Sequence, residues 1–107
     1  MIVKNVEVNL EDLGKGVSRK ILASDGKLMS VEVHFVNGAI GEPHSHPHEQ
    51  IGYVVKGRFE ATLGGEKTIV TVGDTYYVPP DVVHGVIALE DGILLDVFTP
   101  QREDFRK

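Results

Sequence analysis

A short segment near the middle of the chain concentrates side chains that could bind a metal ion. His44, His46 and His48 alternate with other residues there, and Gln50 follows closely. In an extended strand, side chains two residues apart point the same way, so His44 and His46 share a face, and Gln50 joins them if no bulge intervenes. His84 lies much later, where a barrel could bring its strand beside the first. Imidazole nitrogens with an amide oxygen suit one divalent ion such as Zn, Ni, Fe, Mn or Co.

A second group of reactive side chains lies near the C-terminus. Asp96 stands inside an apolar strand candidate, where an unpaired charge is costly, and Phe98 shares its face. If that face points outward, Asp96 is an ordinary solvated residue; if it points inward, Asp96 could transfer protons beside a metal-bound substrate, and we favour the inward orientation. Arg102 could be solvated, or could fold over the barrel opening and pair with a substrate carboxylate. Arg19 is a pocket candidate that strand parity alone does not place.

The elements that must position these groups are short strands separated by frequent turns. Pairs such as Asn37-Gly38 and Asp91-Gly92 tolerate the positive φ of tight turns. We predict strands at residues 2–8, 17–23, 28–36, 51–56, 58–63, 67–72, 75–78, 85–89 and 93–98. No segment keeps a helical period, and only a turn of helix is expected near residues 10–13 and after Pro100. Many short strands in a small chain predict an all-β, jelly-roll-like barrel.

Composition limits the class of protein. The 107 residues, 41% of them apolar, fit one domain spanning residues 1–107. There is no cysteine, so a metal site must use nitrogen and oxygen ligands. The net charge of −5 and the absence of a basic patch argue against a nucleic-acid partner. Without a run of about 20 apolar residues or a signal-peptide pattern, we expect no membrane partner and a soluble, cytoplasmic protein.

The spacing of the candidate ligands resembles the two motifs of the cupin superfamily. The first motif is matched by Gly38, His44, His46, Gln50 and Gly57, and the second by Gly73, Pro79 and His84. Asp81 stands where the second motif has glycine, and Ala88 where it has asparagine. The resemblance implies a double-stranded β-helix with a metal bound by His44, His46, Gln50 and His84. Glu49 is the alternative fourth ligand, and His48 is expected to face outward or to support the ligands.

Glutamine occupies the position where this motif usually has a carboxylate. Three neutral imidazoles and a neutral amide leave the charge of a divalent ion near +2. The ion would therefore be a stronger Lewis acid and a better partner for an anionic ligand.

Longer stretches look like the pectin-degradation cupins of the KdgF type. They read GVSRKILA from Gly16, HSHPHEQIGY from His44, PPDVVH from Pro79 and LDVFTPQREDF from Leu95. This resemblance implies an enzyme that converts 4,5-unsaturated monouronates from pectin or alginate to the linear 4-deoxy-5-hexosulose uronate. It also implies Asp96, Phe98 and Arg102 as pocket residues and a small anionic sugar acid as substrate.

Other functions remain compatible with the sequence. A cupin dioxygenase or an isomerase of another keto acid could use the same ligands, and a non-catalytic sugar-acid-binding cupin could share the fold. A proton-transferring carboxylate beside a metal favours an enzyme. We also expect a homodimer, because a small barrel must cover its edge strands, and we assign that role to the predicted N-terminal strand.

Overall fold

Ten β-strands make up most of the chain in the computed structural model, which describes residues 1–106. The last residue of the expected domain, Lys107, lies outside the described residues. In chain order the strands are β1 (Glu11–Gly14), β2 (Val17–Asp25), β3 (Leu28–Phe35), β4 (Ile40–His44), β5 (Glu49–Lys56), β6 (Arg58–Leu63), β7 (Glu66–Thr71), β8 (Thr75–Val78), β9 (His84–Ala88) and β10 (Gly92–Thr99). The predicted all-β class is confirmed.

The strands form two antiparallel sheets that pack face to face. The larger sheet has the order β1-β2-β3-β10-β5-β8, and the smaller has the order β4-β9-β6-β7. Strand β5 shows the alternation that this packing requires, because Gln50, Gly52 and Val54 are buried while their neighbours on the strand are exposed. Consecutive strands often belong to different sheets, so residues close in sequence can lie on opposite walls of the barrel.

Aromatic and aliphatic side chains from both sheets fill one part of the interior. Phe35 of β3 meets Phe59 of β6 edge to face, with ring centroids 5.2 Å apart. Val54 and Leu94 belong to the same buried cluster. Burying a side chain of this size contributes roughly 1.5–3 kcal/mol. The buried polar residues His46, Gln50, His84 and Gln101 lie outside this cluster.

The glycine that closes the first motif is required by close contact between strands. Gly57 joins β5 to β6 with a φ of 82°. A Cβ atom there would lie 2.6 Å from the carbonyl oxygen of Asp91 and 2.8 Å from Cα of Gly92. Only glycine combines this backbone conformation with such a close approach.

The N-terminal predictions are wrong in two places. Residues 2–8 do not form a strand; they contain a 3₁₀ turn at Asn5–Glu7, and its contacts to the barrel are side-chain hydrogen bonds. Asn5 Nδ2 donates to Glu32 (2.9 Å), and Lys20 Nζ donates to the carbonyl oxygen of Asn5 (3.0 Å). Residues 10–13 are not helical, because they lie in and next to β1, which pairs with β2.

One strand departs from the prediction, and one short helical turn agrees with it. Strand β4 was not predicted, and its Gly41 and Pro43 weaken its strand signal. The predicted turn of helix after Pro100 is present as a 3₁₀ turn at Glu103–Phe105. Over the described residues, no helix has the length and apolar character needed to cross a membrane.

Candidate metal centre and active site

The four predicted metal ligands come from both sheets and from the connection between them. His44 ends β4 and pairs directly with His84, the first residue of β9. His46 lies in the connection, and Gln50 is the second residue of β5 in the other sheet. The expectation of one extended strand through His44, His46 and Gln50 is therefore wrong. The chain crosses between sheets here, at a segment where Pro47 cannot donate a backbone hydrogen bond.

Despite that break, the side chains converge. The potential ligand atoms of His44, His46 and His84 all lie within 4.8 Å of one another. The Nε2 atom of His46 is 3.1 Å from Oε1 of Gln50. The three histidines are therefore positioned to bind a metal ion.

Backbone carbonyl groups orient the three imidazoles. The Nδ1 atom of His44 lies 2.8 Å from the carbonyl oxygen of Glu42, and that of His84 lies 2.9 Å from the carbonyl oxygen of Val82. The Nδ1 atom of His46 lies 3.1 Å from the carbonyl oxygen of His48. Because a carbonyl oxygen only accepts, each Nδ1 carries the proton and each Nε2 presents a lone pair. This is the second role expected for His48, which supports a ligand through its backbone.

Burial also favours the neutral form of two of these rings. It lowers the pKa of His46, and the charge of Arg102 lowers it further. Burial likewise lowers the pKa of His84. Neutral imidazoles keep the lone pairs that a metal ion needs.

The contacts of Gln50 fit a cation at the centre of the cluster. Its Oε1 atom faces Nε2 of His46, which leaves the amide nitrogen of Gln50 as the donor that lowers the pKa of Asp96. Two acceptors then lie 3.1 Å apart, which is repulsive unless a cation lies between them. In addition, Nε2 of His84 is buried without a hydrogen-bond partner. A divalent metal ion would satisfy all three atoms.

The rival ligand, Glu49, points the other way. Its side chain is exposed and accepts a hydrogen bond of 2.5 Å from the hydroxyl of Tyr77. Neighbouring residues of a strand face opposite sides, so Gln50 is directed inward and Glu49 outward. The geometry therefore favours Gln50 as the fourth donor.

Asp96 faces into the barrel from the middle of β10. It pairs with Val31 on one side and with Gly52 on the other, and Gly52 in turn pairs with Tyr76. The hydroxyl of Tyr76 donates to Oδ1 of Asp96 at 3.4 Å. A Cβ atom on Gly52 would overlap the tyrosine ring, so the glycine makes room for this contact. The hydroxyl of Tyr76 is thus a donor that holds the carboxylate in place.

The environment of Asp96 shifts its protonation. Burial raises the pKa of Asp96 to about 7, although hydrogen bonds from Gln50 and Tyr76 and the charge of Arg102 oppose the shift. Burial and the neighbouring carboxylate raise the pKa of Tyr76 well above its usual value, so Tyr76 stays a donor. A carboxyl group near neutrality can both give and take a proton.

The remaining predicted pocket residues lie beside the histidines. The Phe98 ring is buried, with its centroid 5.6 Å from that of His46. The guanidinium carbon of Arg102 is 5.4 Å from the centroid of Phe98. Arg102 also donates to both carboxylate oxygens of Asp104, at 3.1 and 2.9 Å. Together with His44, Gln50 and His84, the residues Asp96, Phe98 and Arg102 line one cavity of about 160 Å³.

The other residues that line this cavity include Arg19, the pocket candidate that strand parity did not place, and Tyr76 and Phe105, which were not assigned to it from the sequence. The inward parity that Tyr76 shares with the buried Val78 on β8 could have identified it. No sequence pattern identifies Phe105 as a cavity residue, because only the folding of the C-terminal segment brings it there. His34 lies outside this cavity lining and contacts Glu32, with Nε2 and Oε1 2.6 Å apart.

The cupin domain family matches residues 31–98, which include all four candidate ligands. This chain belongs to the cupin family. The cupin is 48% identical over 101 residues to the pectin degradation protein KdgF of Dickeya dadantii (strain 3937), and the match covers 92% of each chain.

Two solved structures resemble the cupin closely over nearly its whole length. KdgF from Halomonas sp. is 44% identical with a TM-score of 0.95, and the match covers 98% of this chain and 97% of that one. An RmlC-like cupin from Shewanella frigidimarina NCIMB 400 is 40% identical with a TM-score of 0.95, covering 97% and 94% of the two chains. The similarity to KdgF therefore extends well beyond the motifs.

Proposed function

We propose that this cupin uses a divalent metal ion to convert 4,5-unsaturated monouronates, released from pectin or alginate, to linear 4-deoxy-5-hexosulose uronate. The observation that carries the proposal is the half-buried, inward-facing carboxylate of Asp96 in the same cavity as the histidine cluster. A binding module has little use for such a carboxylate, because its burial is costly. The similarity to the pectin degradation protein KdgF supports this substrate class.

The proposed reaction moves protons without net oxidation. It requires that a proton is added to a carbon of the double bond, that the ring opens and that a ketone forms. Asp96 supplies and removes protons, since its pKa of about 7 allows both protonation states near neutrality. Tyr76 holds the carboxylate through a hydrogen bond, and Phe98 forms an apolar wall beside His46.

Binding relies on charge and on the metal centre. Arg102 adds positive charge close to His46, where the carboxylate of an anionic substrate would lie. His44, His46, Gln50 and His84 would hold the ion. A divalent ion supplies Lewis acidity to a substrate oxygen, and no redox change is needed.

The direct test is loss of the ultraviolet absorbance of unsaturated uronates. Monomers derived from pectin and from alginate are each supplied to protein loaded with Zn, Ni, Fe, Mn or Co, and the spontaneous rate is subtracted. We expect a rate above background that disappears together with bound metal in a His44→Ala, His46→Ala double variant. If no metal form exceeds the spontaneous rate, the proposed reaction is wrong.

Asp96→Asn tests the role of the carboxylate. The variant keeps the size of the side chain but removes the base, so activity should fall by roughly 10²–10⁴-fold. Elemental analysis should show unchanged metal content, since Asp96 is outside the proposed ligand set. A fully active variant would refute the role of Asp96 while leaving the reaction standing.

A further inference from the structure

We propose that Arg19 of β2 is a specificity-determining residue that binds the carboxylate of the substrate together with Arg102. The inference rests on the proposed function for the identity of the substrate, but the arginine geometry itself is independent of it. Below, Arg19 and Arg102 are called the arginine pair.

The arginine pair converges on one aromatic ring at the cavity. The guanidinium carbon of Arg19 lies 4.2 Å from the centroid of Phe105, and that of Arg102 lies 4.3 Å from the same centroid. Both side chains line the cavity that contains Asp96 and the histidine cluster. Two cationic groups from opposite ends of the chain therefore contact the same ring beside the site.

Register explains why Arg19 points inward. On β2 it pairs with Val33 of β3, which packs against the buried clusters, and it alternates with Lys20, which contacts Asn5 on the outside of the barrel. Its side chain is only 13% exposed, and that of Arg102 is 11% exposed. Placing two like charges against one ring at such low exposure is unfavourable unless anions compensate them.

The two carboxylates that form ion pairs with the arginine pair do so from the solvent side, and Asp96 is the one carboxylate that faces the arginine pair from within the cavity. Glu11 accepts from Nη2 of Arg19 at 3.0 Å, but its side chain is 54% exposed. Asp104, the partner of Arg102, is 57% exposed. Exposed ion pairs of this kind contribute little, so positive potential remains in the cavity.

One nitrogen of Arg19 also lacks an acceptor. Its Nε atom is buried with no hydrogen-bond partner, whereas Arg102 already uses Nε and Nη2 on Asp104. A buried N–H group without an acceptor is unfavourable, and a bound carboxylate would supply the missing acceptor. Of the two arginines, Arg19 therefore has the greater unused capacity to bind an anion.

The experiment compares Arg19→Gln with a variant that changes the same charge elsewhere. In metal-loaded protein, Arg19→Gln should raise KM for the unsaturated uronate roughly tenfold to a hundredfold, the loss expected for a charged hydrogen bond. The kcat value should fall less than about threefold, as expected when ground-state binding is lost. Lys20→Gln removes one positive charge from the outer face of the same strand and should leave both constants unchanged.

A second readout does not depend on catalysis. Calorimetry with galacturonate, a saturated hexuronate, should show weaker binding to Arg19→Gln by a similar factor, while binding of neutral galactose should not change between wild type and variant. Arg19→Lys keeps the charge without the planar fork and should give intermediate values. Glu11→Gln breaks the ion pair, so an effect equal to that of Arg19→Gln would show that Arg19 only anchors β1, and would overturn the proposal.

The outcomes separate this inference from the proposed function. A wild type that does not convert unsaturated uronates, but binds galacturonate in an Arg19-dependent way, would refute the reaction and leave the arginine pair standing. An active wild type whose KM is unchanged by Arg19→Gln would refute the role of Arg19 alone. A wild type that neither converts the uronates nor binds galacturonate would refute both.

Discussion

At the scale of single residues, the protonation of Asp96 depends on one row of positions across the large sheet. Asp96, Gly52 and Tyr76 are consecutive partners on β10, β5 and β8. Because Gly52 has no side chain, the ring of Tyr76 crosses above it and its hydroxyl reaches the carboxylate. The central glycine is thus as necessary to this contact as the two polar residues.

The raised pKa of Asp96 predicts a pH dependence of stability in the metal-free protein. The folded state holds the proton more tightly than the unfolded chain, so the stability gained from this group is complete below about pH 4 and is lost as pH rises through about 7. Asp96→Asn should remove this decline in the free energy of unfolding, which amounts to up to a few kcal/mol between about pH 4 and about pH 7. Urea unfolding in the presence of a chelator, repeated from pH 4 to pH 8, measures it.

Wild type and Asp96→Asn are compared by the slope of the free energy of unfolding against pH, rather than by its absolute value at one pH. Asparagine replaces one carboxylate oxygen with an amide nitrogen that cannot accept, so the variant also differs from wild type by about 1 kcal/mol at every pH. Burial of His46 and His84 adds an opposite slope, but it is present in both proteins. Identical slopes in wild type and Asp96→Asn would contradict the shifted pKa.

At the scale of elements, two connections hold the histidines in place. The backbone N–H of Asp81, in the turn before β9, donates to the carbonyl oxygen of His46 at 2.8 Å. Asp81 has a φ of 64°, the left-handed conformation for which the family motif uses glycine. The departure from the motif therefore preserves the backbone, because aspartate tolerates this region better than most residues.

Substitutions of Asp81 should follow this conformation. Asp81→Ala should lower the free energy of unfolding by about 1 kcal/mol, since alanine is strained at positive φ. Asp81→Gly should be close to neutral, because relief of strain offsets the larger entropy of the unfolded chain. Chemical denaturation of the metal-free proteins checks both, and an alanine variant as stable as the glycine variant would be inconsistent with a strained turn.

The sequence predicted most strands because alternation and turn residues are local signals. The same is true of His44, His46 and His84, whose spacing resembles a known pattern. Failures occurred where distant contacts decide the conformation, as at residues 2–8, which side-chain hydrogen bonds hold outside the sheets. The approach of Phe105 to Arg19 joins nearly the two ends of the chain, and no local pattern encodes it.

At the scale of the whole molecule, the outer face of the large sheet carries an apolar patch. Ile51 and Tyr53 of β5 are exposed there; Ile51 pairs with the exposed Tyr77 of β8 and with Val97 of β10, and Tyr53 pairs with Leu95. Contiguous exposed patches of this kind often mark protein interfaces. We propose that a second copy of the chain covers this face, giving the homodimer expected from the sequence.

Ile51→Lys should shift the protein toward the monomer, because it places a charge in the proposed interface. Ile69→Lys is a matched control, since Ile69 lies on β7 of the other sheet and both isoleucines are 52% exposed. Light scattering at micromolar concentrations should give the dimer mass for wild type and for Ile69→Lys. A wild type with the mass of a monomer would contradict the proposal.

The ligands are divided between the two sheets, with His44 and His84 on the smaller and Gln50 on the larger. An ion held by all of them would link the two sheets of the barrel. Separating the sheets would then require breaking metal–ligand bonds, so motions that open the interface between the sheets would be linked to release of the ion. Adding metal should therefore slow the exchange of the amide hydrogens of β4, β5 and β9 with solvent by a common factor, while exchange in β1, which carries no ligand, should not change. The ion would in this way set the mechanical rigidity of the barrel as well as its chemistry.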